Sequence, residues 1–261
     1  MAAVNSPDTA TSADVRHQYF GTRITPRTFQ EWLADISTIL HNGKRQWLSG
    51  HHNLHSLYFL ERDVDVRGFY ERCNDCYIDG TPVRLILSGF GMPTLSRQRF
   101  SLMDHFLDFL QHAEKQDWSL FYLGSKEAVV DLGSRLVQEK YPGLRIRFQH
   151  GYSTDAVATV RTINEWRPDI LLVGMGVPLQ ERWLVEHLDE LDVGFAVQAG
   201  STLDYFTGAQ AKPPRWMSRM GVAWLYRLLH DPRRLWRRYL LEPWPLLYHT
   251  LSEWYRYRRF R

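Results

Sequence analysis

From residue 78 onward the chain alternates short apolar runs with amphipathic stretches of helical length, and several of the runs stop at a glycine. Residues 120–123 end at Gly124, 169–173 end at Gly174, and 193–197 lead into Ala199-Gly200. Between them, residues 100–113, 126–140, 154–166 and 178–191 carry apolar side chains at helical period. Runs too short for a helix, alternating with helices of 10–15 residues, are the pattern of βαβ units. Parallel strands need crossovers, and the crossover helices cover the sheet faces. With residues 83–87 and 144–148 read as further strands, the expected fold is α/β. It is a Rossmann-like, mostly parallel sheet flanked by helices. Ahead of it, residues 27–40 read as a helix carrying Phe29, Trp32, Leu33, Ile36 and Leu40, and residues 51–60 as a strand.

The charge is unevenly placed. Residues 218–261 hold ten Arg, no Lys and three acidic residues, a net +7, whereas the remainder carries −4. Four of the ten Trp lie in the same segment. On a wheel of about 100° per residue, Arg233, Arg234, Arg237 and Arg238 fall on one side. Leu235, Trp236, Tyr239 and Leu240 fall on the other. A basic amphipathic helix with Trp244, Trp254, Tyr255 and Phe260 beyond it suits an anionic membrane surface. We therefore divide the chain into a disordered leader at 1–15, an α/β domain at 16–217 and a helical, membrane-associating appendage at 218–261. No run reaches the length of a membrane span, and no secretory signal is visible at the N-terminus.

In open parallel sheets ligands bind beyond the carboxyl ends of the strands. The glycines at those ends, Gly124, Gly174, Gly176 and Gly200, let a phosphate or sugar approach backbone N–H groups. Gly174-x-Gly176 is no dinucleotide fingerprint, because the third glycine would fall on Leu179. Cys73-x-x-Cys76 lacks a second pair and reads as buried, reduced thiols. His51, His52 and His55 read as solvated loop residues. Asp79-Gly80 is by itself a common turn dipeptide.

Four blocks together resemble one family. G-M-G-V-P-L-Q-E-R-W at 174–183 looks like the G-x-G-x-P-x-Q-E-x-W motif of glycosyltransferase family 26, the WecG/TagA/CpsF family. A-G-S-T-L-D-Y-F-T-G-A-Q-A-K-P-P-R-W at 199–216 is similar to the family's G-x-x-x-D-x-x-x-G and R-A-P-x-W. W-L-Y-R-L-L-H-D-P-R-R-L-W-R-R-Y at 224–239 resembles E-W-x-Y-R-L followed by P-x-R-x-x-R-Y, and I-D-G-T-P-V at 78–83 resembles D-G-x-P/G-V. The blocks stand in family order over residues 78–240.

The resemblance implies an inverting, metal-independent transfer of a sugar from UDP-sugar to a polyprenyl-diphosphate-linked saccharide. It implies a peripheral protein at the cytoplasmic face of the inner membrane, with no cofactor. Asp79 matches the proposed base. Arg99, Gln180 and Glu181, with Asp204 and the strand-end glycines, fall at donor or acceptor contacts. Arg227, Arg234 and Arg237 match the arginines that hold the diphosphate. An inverting transfer needs a base for the acceptor hydroxyl. Arginines can take the charge of a departing diphosphate where no metal motif is present. Asp63-Val64-Asp65 sits in a charged stretch and is no such motif.

The sequence departs from the family at several points. Lys212-Pro213 replaces Arg-Ala, Ala223 replaces a Glu, Leu102 replaces a Gly, and no Thr-x-Asn is found near 57–61. Because these departures gather near the donor, glucose is the expected sugar, as in an exopolysaccharide repeat. N-acetylmannosamine or its uronic acid is the alternative. A nicotinamide-dependent oxidoreductase is disfavoured by the missing glycine. A non-catalytic membrane or nucleic-acid adaptor is disfavoured by motifs at three strand ends, so no nucleic acid is expected. Either a monomer or a homo-oligomer is compatible with the resemblance.

Overall fold

The computed structural model describes residues 22–90, 98–214, 216, 217, 220 and 222–259; the expected leader lies outside them. Six strands form one sheet: β1 (Trp47–His52), β2 (Asp75–Ile78), β3 (Ser119–Gly124), β4 (Arg145–Gln149), β5 (Ile170–Gly174) and β6 (Phe195–Gln198). Their order is β2-β1-β6-β5-β3-β4, and every neighbouring pair is parallel.

Both faces of the sheet are covered, so the strands read as continuous apolar runs whose alternate residues enter different cores. In β5, Leu171 and Val173 join one core, and Ile170 and Leu172 join the other. The first core takes side chains from α2 (Leu54–Leu60), α3 (Val64–Arg72), α7 (Ala156–Trp166) and α8 (Leu179–His187). The second takes them from α1 (Phe29–His41), α5 (Leu102–Lys115), α6 (Glu127–Lys140) and α9 (Thr202–Phe206). Helix α1 begins where the sequence places it, with a capping box between Thr28 and Glu31. It buries Phe29, Trp32, Leu33, Ile36 and Ile39. Cys73 and Cys76 are free and buried, as expected.

Two expected strands are different elements. Residues 51–60 split into the end of β1 and helix α2, which starts at the Asn53 cap. Residues 83–87 lie inside helix α4 (Thr81–Gly89). Gly80 enters that helix at φ +99°, and Pro82 occupies its first turn. Val83 and Leu87, four residues apart, are both buried, whereas Leu85 between them is 59% exposed. That is a helical stripe, and the five-residue window was too short to separate it from a strand.

The C-terminal part comprises α10 (Ala223–His230), α11 (Pro232–Trp236), a π-helical turn (Arg237–Leu241) and α12 (Pro243–Arg259). Glu242 N–H donates to the Arg237 carbonyl, an i→i+5 bond. A π turn shifts the residues after it relative to an α-helical wheel, so the expected wheel does not continue unchanged past Leu241. Helix α12 lies against α2, where His55 Nδ1 is 2.5 Å from Glu242 Oε2 and His249 Nδ1 is 3.0 Å from Glu61 Oε1. Trp244, Tyr248, Leu251 and Tyr255 remain more than half exposed on α12. Trp254 Nε1 instead donates to the Gly89 carbonyl, and Phe260 lies outside the described residues. Among the described residues no helix is long and apolar enough to cross a membrane.

At the carboxyl ends of β3 and β5 the backbones touch. A Cβ at Gly174 would stand 2.1 Å from Tyr122 Oη and 2.8 Å from the Gly200 carbonyl oxygen, and one at Gly124 would stand 2.3 Å from the Gly174 carbonyl oxygen. These glycines serve close packing. Gly174→Ala is expected to lower stability by roughly 2–4 kcal/mol, as overpacking into backbone does. Gly89→Ala, with open space around its Cβ, should change stability by less than about 0.5 kcal/mol. Urea unfolding of the two variants checks both.

Candidate active site

The carboxyl ends of β1, β2, β5 and β6 open into a cavity of about 510 Å³, roofed by α10 and the π turn. Strand β1 brings His51 and Asn53 to its wall, and β2 brings Asp79. The β5–α8 turn brings Gly176, and the end of β6 brings Gln198 and Gly200. Arg99 enters ahead of α5, and Arg227, Arg238 and Tyr239 come from the roof.

Asp79 is the first residue after β2. Its N–H donates to the His52 carbonyl at 2.9 Å, and its side chain keeps 26% of its surface exposed. Arg227 lies against the Tyr205 ring, 5.1 Å from guanidinium carbon to centroid, and an Nη is 3.7 Å from Met103 Sδ. Arg238 is partly buried. Burial is the main influence pulling its guanidinium below its usual range, and neighbouring Arg227 adds to it. An anion between the two would relieve both effects.

The sequence-derived site residues divide. Asp79, Arg99, Gly176, Gln180, Gly200 and Arg227 line the cavity; Gly124, Gly174, Glu181, Asp204, Arg234 and Arg237 do not. Asp204 instead accepts from Ser125 Oγ at 2.8 Å, beside Tyr122 Oη. Arg234 binds Asp231 and, at 3.1 Å, Gln210 Oε1. Arg237 lies over the Trp236 ring at 5.3 Å. Arg238, in the π turn, takes the inward position.

The histidines expected to be solvated are not. His51 and His52 are buried, and His55 is held by Glu242. They sit on a central strand and the helix after it, between packed layers. The search for Thr-x-Asn at 57–61 fell inside α2. The strand end is His51-His52-Asn53, and Asn53 lines the cavity. A strand assigned to 47–52 would have flagged it.

Beneath the cavity floor lies a buried polar network. Gln180, Glu181 and Gln198 have no exposed surface. Gln180 Oε1 accepts from Gly200 N–H at 3.0 Å and from Gly176 N–H at 3.3 Å. Gln180 Nε2 donates to Glu181 Oε1 at 3.0 Å, and Gln198 Nε2 donates to the same oxygen. Gln198 Oε1 accepts from His51 N–H at 2.7 Å. The N–H groups of Gly176 and Gly200, expected to meet substrate, are thus already taken by Gln180. Gln180 positions two loops from the cavity wall.

Burial pushes the Glu181 carboxyl up to about 7, against the donors from Gln180 and Gln198 that pull it down. The folded protein therefore keeps a proton that the unfolded chain releases near 4.5. Stability from this group falls as pH rises from about 4.5 to 7 and stays low above that. Relative to wild type, Glu181→Gln should gain up to about 3 kcal/mol between pH 4 and pH 8. Urea unfolding at the two pH values checks this, and an unchanged difference would mean that Glu181 is already ionised.

Over 137 residues the chain is 31% identical to the N-acetylglucosaminyldiphosphoundecaprenol N-acetyl-beta-D-mannosaminyltransferases of Staphylococcus aureus strains MW2, NCTC 8325 and COL. The match spans 52% of this chain and 53% of each relative, so the chain spans about half the length of the curated relatives it matches. The family model for glycosyl transferases of the WecG/TagA/CpsF type matches residues 17–260. The chain belongs to the WecG/TagA/CpsF glycosyltransferase family.

Proposed function

We propose that this protein transfers a sugar from UDP-sugar to a polyprenyl-diphosphate-linked saccharide, with inversion and without a metal. It works as a peripheral protein at the cytoplasmic face of the inner membrane, in exopolysaccharide or cell-envelope glycan assembly. One observation carries the reading: a carboxylate, Asp79, and two guanidiniums, Arg227 and Arg238, converge on one cavity at the carboxyl ends of four strands. Asp79 takes the proton of the acceptor hydroxyl as that oxygen attacks the anomeric carbon. The bond from that carbon to UDP breaks, and Arg227 and Arg238 receive the charge growing on the diphosphate. Arg99 is a further cation for donor or acceptor phosphate. The exposed Trp244, Tyr248, Leu251 and Tyr255 of α12, with the tail arginines, lay the cavity mouth on an anionic membrane surface.

Glucose as donor is supported by the sequence departures at Lys212-Pro213, Ala223 and Leu102. N-acetylmannosamine is supported by the activity for which the S. aureus relatives are named. A panel of UDP-sugars, offered with polyprenyl-diphosphate-linked mono-, di- and trisaccharides in the presence of EDTA, decides between them. Release of UDP with no transfer, or neither from a folded protein, would sink the transferase reading.

With the productive pair, Asp79→Asn should lose about 10²–10⁴-fold in kcat while remaining folded. Full rate would remove Asp79 as base. Arg238→Ala should lose about 10²-fold or more in kcat, as removal of a charge-stabilising donor does. Arg237→Ala, which alters a side chain on the Trp236 ring, should stay within about 3-fold. The reverse order would restore Arg237 as the diphosphate ligand.

A further inference from the structure

We propose that His51 is the positioning residue for Asp79: a neutral imidazole whose Nε2–H faces the carboxylate and orients the oxygen that takes the acceptor proton. This inference rests on the transferase reading above. His51 is paired in register with Tyr77, and His52 with Ile78. The two neighbouring strand ends therefore bring His51 and Asp79 to the same rim of the cavity. Nε2 lies 4.0 Å from Asp79 Oδ2, about one ångström beyond a hydrogen bond. The main chain of His51 is pinned on both sides. Its N–H donates to Gln198 Oε1 at 2.7 Å, and its carbonyl accepts from Tyr70 Oη at 2.8 Å. The ring itself is buried, with its centroid 5.5 Å from that of Tyr77.

The surroundings select the tautomer and the charge. A lone pair on Nε2 would face a carboxylate and be repelled; an N–H there is attracted. Nδ1 is buried and has no hydrogen-bond partner among the described residues. A second proton there would be a buried donor with no acceptor, a costly arrangement. Burial, the largest influence, disfavours a charged ring, as do His52 on β1 and Arg238 on the π turn, against Asp79, which favours it. Tyr77 of β2 and Tyr70 of α3 are uncharged, and Glu181 of α8 reaches His51 only through Gln198. A neutral donor holds a carboxylate in place without suppressing its basicity as a cation would. In the transfer step the acceptor O–H proton moves to Asp79 while the new C–O bond forms and UDP leaves with the electron pair of the broken bond. His51 neither gains nor loses a proton.

The test measures kcat and KM against pH for wild type, His51→Phe, His51→Gln and Asp79→Asn, with circular dichroism melts of each. His51→Phe should lose about 10–100-fold in kcat with KM within about 3-fold, and its acid limb should move to higher pH. His51→Gln, which retains an N–H donor, should restore most of the rate and the wild-type limb. Full kcat with an unshifted limb in His51→Phe overturns the proposal. So does an equal loss in His51→Phe and His51→Gln with no shift of the limb, which marks a packing role. A second readout needs neither transfer nor the Phe variant. NMR of protein labelled at histidine Cε1 should show His51 titrating below the usual histidine range and its resonance displaced in Asp79→Asn. Titration of His51 above pH 7, or an unmoved resonance, overturns the pairing. If wild type transfers no sugar, the transferase reading fails on its own while the NMR result still decides the pairing.

Discussion

The arrangement of this site depends on one buried hydrogen-bond network. Gln180, Glu181 and Gln198, all fully buried, tie together the carboxyl ends of β1, β5 and β6 through five hydrogen bonds. Leaving any one of these groups unpaired would cost about 1–3 kcal/mol. A half-satisfied network would be worse than an apolar one. The network therefore holds the Gly176 and Gly200 loops and the His51 backbone in one relation. Asp79, the first residue after the neighbouring strand β2, inherits that relation through the β1–β2 register.

The second constraint is the C-terminal roof. Parallel sheets expose a crevice at their carboxyl ends but supply few cations there. Here α10 and the π turn contribute Arg227 and Arg238. The roof is fastened through His55–Glu242 and His249–Glu61, both at the start or along the face of α2. The same segment that closes the cavity also carries the exposed aromatic residues of α12.

Much of this was legible in the order of residues. Apolar runs ending in glycine determined strands β3 to β6 and the helices between them, because period and length separate the two when the runs are regular. Four short motifs placed Asp79, Gln180 and Arg227 at the right strand ends and helices. Asp79 became legible only with its neighbours in the block, since Asp-Gly alone is a turn. The N-terminal third was harder to read. Residues 51–60 hold a strand end and a helix start in ten positions, and 83–87 is a helical stripe too short to show its period. Those errors hid the strand end at His51-His52-Asn53 and turned buried histidines into apparent loop residues.

What the sequence by itself determined was the α/β alternation, the family motifs and the basic, aromatic C-terminus, all properties of local pattern. Only the tertiary structure decided which groups share a space. It used the N–H groups of Gly176 and Gly200 on Gln180 and turned Arg238 inward instead of Arg237. It also kept Glu181 and Asp204 out of the cavity and set His51 opposite Asp79. Each of these depends on sheet order, register or the packing of one element on another. Such quantities arise from packing between distant segments, so no local window of the chain contains them.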